Sequence, residues 1–319
     1  MDYVKAGYKG FVFDTSYTQV FKNKPITVLD EKNIIKLRSE KHITDTDMKI
    51  VKFLFYNRFA TLEILTLLLS DDGKTKEDVS KDISRLIKHR VINAFGLVSS
   101  EGIGSGVRVE LPIDAMLIYC LDLGGRILVG HFHNADTTAW YTTENMRGPE
   151  KVGKDLVTNL FYLQLITGCA FNSNDNNYFK LNPTLQLGKQ RVIPSFEMKI
   201  MIDDTDFRYY VGDVVRRYEF PSEFREHLSK LDSVMATNAW KKYFYDVDKP
   251  PVVFFICEDD NHALEVGKMI AGISSFDVST GFRLTTDARI QKGLGVKGAF
   301  LAYDPETNSL IEKRVASFK

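Results

Sequence analysis

The sequence predicts an α+β protein of two domains: a helical N-terminal domain closed by a β-hairpin, and an α/β C-terminal domain with a mixed sheet flanked by helices. Three observations predict it. Apolar residues recur at helical spacing from Thr44 to about Arg90. Two β-patterned runs around a glycine-rich tip follow directly. From residue 191 strands and helices alternate. A chain of 319 residues is long enough for each domain to bury its own core.

Residues 1–44 alternate weakly ("GFVFDTSYTQVFKNKPITVLD") and read as an arm or short strands. The next stretch, "TDTDMKIVKFLFYNRFATLEILTLLL", carries two helices. Thr44 or Asp45 caps the first, which runs through Ile50, Val51, Leu54 and Phe55. Thr61 caps the second, with Glu63 in its first turn. After the break "SDDGK" comes "TKEDVSKDISRLIKHRVINAFG", a helix from Thr75 to about Arg90. At about 100° per residue, Val79, Ile83, Leu86 and Ile87 form one apolar stripe, and Lys81, Arg85 and Lys88 fall opposite.

The runs "RVINAFGLVSS" and "VRVELPIDAMLIYCLDLGG" flank the tip "EGIGSG", with Pro112 disrupting or offsetting the second strand. Three short helices followed by such a hairpin make a winged helix over residues 45–130. In that arrangement the third helix enters the major groove of duplex DNA and the wing lies along the backbone. The DNA-contacting candidates are Lys76, Ser80, Lys81, Ser84, Arg85 and Lys88 on the helix, with Arg108 beside the wing tip. Arg85 is the candidate for reading a guanine edge.

Residues 131–152 form a polar connector, and 153–319 the second domain. It opens with a helical segment at 153–166. "RVIPSFEMKIMI" and "FRYYVGDVV" follow as strands, then a helix from Pro221 and Ser222, the buried strand "PPVVFFICE", the helix "DDNHALEVGKMIAGI", and short strands at "GFRLTTD" and "GAFLAY".

Lys plus Arg and Asp plus Glu number 42 each, so the formal charge is zero, which excludes a protein that coats nucleic acid by bulk electrostatics. Affinity summed over two half-sites, through a homodimer or a partner protein, is therefore expected. Cys120, Cys169 and Cys257 share no metal-type spacing and suit a reducing compartment. No apolar run reaches membrane-spanning length and no signal peptide is evident, so a cytoplasmic protein without a membrane partner is expected.

The run from "IYCLDLGG" through the helix around 155–165 to "VIPSFEMKI…YYVGDVVRRYEF…HLSKL…PPVVFFIC" resembles the replication-relaxation family. These are proteins of plasmids and integrative elements related to mobilisation relaxases, with a winged-helix region and a nuclease-like region of the PD-(D/E)xK, restriction-endonuclease-like type. The resemblance covers residues 45–275 or so and is one of layout and spacing.

Residue by residue, the family's Pro-Asp falls on Pro194-Ser195, so the first carboxylate is missing. The strand-end acid falls on Asp213 and the next acidic position on Val215, while the following Arg is kept as Arg216. Glu219 and Lys230 stand where the later Glu and Lys belong. Such a nuclease holds Mg²⁺ with at least two carboxylates. Here Asp213 stands nearly alone, and Glu197 substitutes only if it shares a face with residue 195.

The resemblance thus implies a DNA-binding accessory protein of replication or mobilisation, without cofactor, whose nuclease-like domain has lost its chemistry. Two alternatives stay open. One is a metal-dependent nickase or relaxase using Asp213, Glu197 and Lys230 around Mg²⁺. The other is a protein-interaction adaptor whose winged helix does not touch DNA.

Other constellations read blandly. "HFH" (131–133) places two imidazoles on one side of a strand without a third ligand. "CEDDNH" (257–262) supplies acids suited to capping a helix. "GIGSG" is the wing tip, and "KGLGVKG" (292–298) lacks the strand–helix setting of a phosphate loop. The tyrosines of "RYYVG" and "RRYEF" read as strand packing rather than nucleophiles.

Overall fold

Three threonines start three successive helices of the N-terminal half. Thr44, Thr61 and Thr75 each sit in extended backbone, and each hydroxyl accepts the N–H three residues on. Thr44 and Thr75 complete capping boxes with Asp47 and Asp78. The structure, a computed structural model, describes residues 2–8, 10–101, 110–138, 140–168, 171, 176–202, 206–244, 246–273, 281–315 and 318. The chain divides into two compact units, Met1–Asn159 and Leu160–Lys319. It is a mixed α+β structure, and among the described residues no helix is long and apolar enough to cross a membrane.

The first unit contains β1 (Tyr17–Phe21), α1 (Glu31–Ser39), α2 (Asp45–Asn57), β2 (Phe59–Ala60) and α3 (Leu62–Leu68). Then come α4 (Lys76–Lys88), β3 (Ile92–Ser99), β4 (Ile118–Leu121) and α5 (Leu123–His133), with α6 (Pro149–Gly168) running past the unit's end. The strands form one antiparallel sheet in the order β1-β3-β4-β2. Apolar stripes on α2 (Met48, Ile50, Val51, Leu54) and α4 (Val79, Ile83, Leu86, Ile87) are buried. Burying one such side chain contributes about 1.5–3 kcal/mol.

Residues 1–44 are built into this unit. β1 pairs with β3 from Tyr17↔Ser99 to Phe21↔Phe95. Residues 3–5 enter the hairpin itself: Val4 N–H donates to Leu97 O at 3.0 Å, and Met116 N–H donates to Val4 O at 2.8 Å. Among the described residues the two arms pair directly between Ile92–Phe95 and Ile118–Leu121. Beyond Pro112 the chain turns, Ala115 N–H donating to Pro112 O at 3.0 Å, and the second strand starts only at Ile118. The tip residues 102–109, with "GIGSG" and Arg108, lie outside the described residues, as does Cys169.

The strand expected at "HFH" is instead the last turn of α5. Asp122 caps this helix, and the glycine pair after Leu123 brings its first turn against neighbouring backbone. A Cβ on Gly125 would lie 2.5 Å from Val91 O. His131 and His133, two residues apart on a helix, are separated by about 200° and cannot share an ion.

The second unit holds β5 (Tyr178–Leu181), a small β6–β7 ribbon (Leu185–Leu187, Gln190–Val192), β8 (Phe196–Met201) and β9 (Phe207–Val214). There follow α7 (Ser222–Ala236), β10 (Val252–Cys257), α8 (Asp260–Ile273), β11 (Phe282–Thr286), α9 (Asp287–Lys292), β12 (Phe300–Asp304) and β13 (Ser309–Lys313). Seven strands form a mixed sheet in the order β13-β12-β11-β10-β9-β8-β5, with β9, β10 and β11 parallel. Alternate residues divide between its faces. Val253 and Phe255 join Phe224, Leu228 and Leu231 of α7 and Val266 and Ile270 of α8 in one core cluster. Phe254 stacks with Tyr210 and Phe300 on the other face, at centroid distances of 5.2 and 5.1 Å.

Candidate functional site

The basic helix α4 is fixed by its capping box at one end and its buried stripe along the side. What remains exposed is Lys76, Glu77, Ser80, Lys81, Ser84 and Lys88. Lys76 pairs with Glu63 at 3.0 Å, both side chains being more than half exposed. Ser84 Oγ donates back to Ser80 O at 2.8 Å. Among the described residues neither Lys81 nor Lys88 enters an ion pair.

Arg85, expected to read a guanine edge, turns the other way. Its Nη2 donates to both carboxylate oxygens of Asp47 on α2, at 2.8 and 2.7 Å, and lies 2.9 Å from Asp82. Asp47 is fully buried and Asp82 nearly so; Asp82 also receives Lys74 at 3.0 Å. A buried carboxylate holds a guanidinium firmly because leaving either charge alone is costly. Arg85 is thus a fastener between α4 and α2, and the free cations of the exposed face are Lys81 and Lys88.

In the second unit the register of β8 against β9 sets Ser195 beside Asp213. Ser195 Oγ donates to Asp213 Oδ1 at 3.1 Å and accepts Val214 N–H at 3.1 Å. The other carboxylate oxygen of Asp213 is paired with His227 of α7. Asp213 thus stands between the hydroxyl and the imidazole, which rules out a nucleophilic triad, where the imidazole must stand in the middle.

Glu197 lies on the same sheet face, two residues from Ser195, and pairs with Lys180 at 3.4 Å. Lys230, one turn beyond His227, pairs with Glu226 at 2.6 Å. Val215 is buried in the core cluster, and Glu219 accepts the first N–H groups of α7 on its backbone oxygen. Tyr209 and Tyr210 are buried, with Tyr209 Oη donating to Asp246 at 2.8 Å.

Mg²⁺ wants unencumbered oxygen donors, one or two of them carboxylates. Here Asp213 is held by a hydroxyl and an imidazole, and Glu197 by an ammonium. Among the described residues no group of three or more His, Cys, Asp or Glu side chains is placed to hold a metal ion. The donor set does not fit Mg²⁺.

The ends of β9, β10 and β11 carry a polar cluster that sequence reading met only in part. Asp259 accepts His262 N–H at 2.9 Å, as a capping acid does, and holds Arg217 at 2.8 Å through both oxygens. His262 is buried, and burial, with Arg217 nearby, pushes its pKa down to about 4. Beneath lies a fully buried pair, Arg216 and Asp287, at 3.1 Å. Burial pushes the Asp287 carboxyl up to about 7, against the pull of Arg216. The one hint in sequence was an aspartate directly following a strand.

The "KGLGVKG" stretch borders a cleft of about 330 Å³ lined by Asp260, Arg289, Lys292, Lys297 and Glu312. Arg289 is already paired there with Asp260 at 2.8 Å and Glu312 at 3.4 Å. Compared with known protein families, with characterised proteins and with solved structures, the chain gives no match.

Proposed function

We propose that the chain is a cytoplasmic DNA-binding accessory protein of plasmid or mobile-element replication or mobilisation. Its first unit would act as a winged helix that lays α4 in the major groove. The observation that carries this reading is the exposed face of α4, where Ser80, Lys81, Ser84 and Lys88 stand clear while the opposite stripe is buried. The element order α2-β2-α3-α4-β3-β4, with β3, β4 and β2 in one sheet, supports it, being the order in which a winged helix presents its third helix.

The second unit, in this reading, keeps a nuclease-like layout without the chemistry. The succession α6-β5-β8-β9-α7-β10 and the meeting of Ser195 with Asp213 support the kinship with the replication-relaxation family. The replaced acids and the ion pairs on Asp213 and Glu197 support the loss of cleavage.

The test is fluorescence anisotropy of a labelled duplex across a salt series, for the native chain and a Lys81→Ala/Lys88→Ala variant. Arg85 is left intact so that the fold is not the variable. Each lost phosphate contact lowers the slope of log affinity against log salt by about 0.9, so the variant is expected to lose about 1.8.

The adaptor reading is favoured by one observation, that Lys76 and Arg85 are engaged within the unit. It predicts no duplex binding even at low salt. Cleavage of supercoiled plasmid in Mg²⁺, abolished by Asp213→Ala, would instead establish the nickase.

A further inference from the structure

The exposed ridge of α4 carries one acid among its cations, Glu77, in the first turn, where the helix dipole favours a carboxylate. Glu77, Lys81, Ser84 and Lys88 fall within about 60° of one another at 100° per residue. All four are exposed. The carboxylate of Glu77 makes no hydrogen bond or ion pair among the described residues. The capping role at this end already belongs to Asp78. An acid in this place repels phosphate wherever the helix docks, and it stands at the end of the helix whose residues meet base edges in a groove.

Resting on the winged-helix reading above, we infer that Glu77 is the specificity-determining residue of α4, selecting cytosine in the major groove. Cytosine presents an N4 amino donor there. Guanine presents only acceptors, thymine an acceptor and a methyl, and adenine an amino group flanked by the N7 acceptor. A carboxylate therefore finds an uncompensated donor only at cytosine. Lys81, one turn on, is an ammonium placed for the neighbouring phosphate.

Four residues advance the helix by about 6 Å. At about 3.4 Å per base pair, Glu77 and Lys81 address positions within two base pairs of each other. Lys88 lies about 10 Å further along the axis and meets the backbone. The ridge is thus graded from an acid that chooses to cations that hold. Away from its site the acid weakens binding, which gives a charge-neutral chain discrimination it could not draw from bulk attraction.

Selection of bound duplexes from a randomised library tests this, with native chain, Glu77→Ala and Glu77→Gln. The native chain is expected to retain a motif with cytosine at one position, preferred about five- to tenfold. Glu77→Ala should retain the same motif with that position degenerate, and bind random duplex about threefold tighter at low salt. Glu77→Gln should move the preference to adenine, whose N6 and N7 a carboxamide meets together. If both variants select the native motif unchanged, Glu77 does not read a base and the inference falls while the DNA reading stands. If the native chain retains no duplex, the DNA reading itself falls, and this inference with it.

Discussion

Replacing Arg85 separates a fastener from a base-reading residue. Its partner Asp47 accepts Thr44 N–H at 2.7 Å and Thr44 Oγ at 2.9 Å, and both its oxygens receive Arg85. The charged hydrogen bond has a ceiling of about 3 kcal/mol. The Arg85 side chain is 35% exposed and keeps Asp82 at 2.9 Å, so solvent and the second acid discount this. A value of about 1.5 kcal/mol follows.

Asp47→Ala also loses the capping box, about 1 kcal/mol, for a total of about 2.5. Arg85→Ala loses the same pair and leaves a buried carboxylate without its cation, again about 2.5 kcal/mol. The double variant loses the pair and the cap once each and leaves no orphaned carboxylate, so it should be about 2.5 kcal/mol more stable than additivity predicts. In thermal melts of the full chain each single variant should fall by about 5–10 °C in the transition of the first unit. If Arg85→Ala melts within about 0.5 kcal/mol of native and the cycle shows no coupling, the fastener is wrong. If that same variant loses duplex binding, Arg85 is a groove residue after all.

Three further outcomes follow from the second unit. His262, held at about 4 against an ordinary 6.5, binds a proton in the unfolded chain before it does in the fold. Native stability should therefore drop, relative to His262→Gln, as pH falls from about 6.5 through about 4, in urea titrations at a series of pH values; parallel curves would refute it. Ser195→Asp sets a second carboxylate against Asp213; the variant should melt below native, and added Mg²⁺ should recover part of the loss. A melt indifferent to Mg²⁺ would remove the kinship with metal nucleases as an explanation of this sheet end. Gly212→Ala places a Cβ 1.9 Å from the Phe196 ring, so it should cost more than about 3 kcal/mol. A chain that melts as native would mean that the ring has room to move.

Local chemistry was legible where it acts over three or four residues. Thr44, Thr61 and Thr75 announce their helices because a hydroxyl in extended backbone reaches the N–H three residues on. "PPVVFFIC" announces a buried strand through its unbroken apolar run. What escaped sequence reading depends on partners far along the chain. Arg85 lies near the edge of the basic stripe, and only the fold reveals that an aspartate 38 residues earlier holds it. The "LGGRILVGHFH" run has the residues of a strand and is a helix, because Asp122 caps it and its glycines admit a neighbouring backbone. His227 and Lys230 lie about 60° apart on one helix. Spacing alone could not say which would meet Asp213.

The seating of residues 3–5 between the arms of the hairpin bears on how the first unit is assembled. Tyr3 Oη and Asp114 Oδ1, which meet, are 111 residues apart in sequence. These early residues leave the ribosome long before Leu97 and Met116 exist to receive them. Helices α2 to α4, built on short-range contacts, can form while they wait. The sheet can be completed only when the distant arm has been synthesised and the early segment has slotted in. That closure crosses a loop of 111 residues and should slow the folding of the unit.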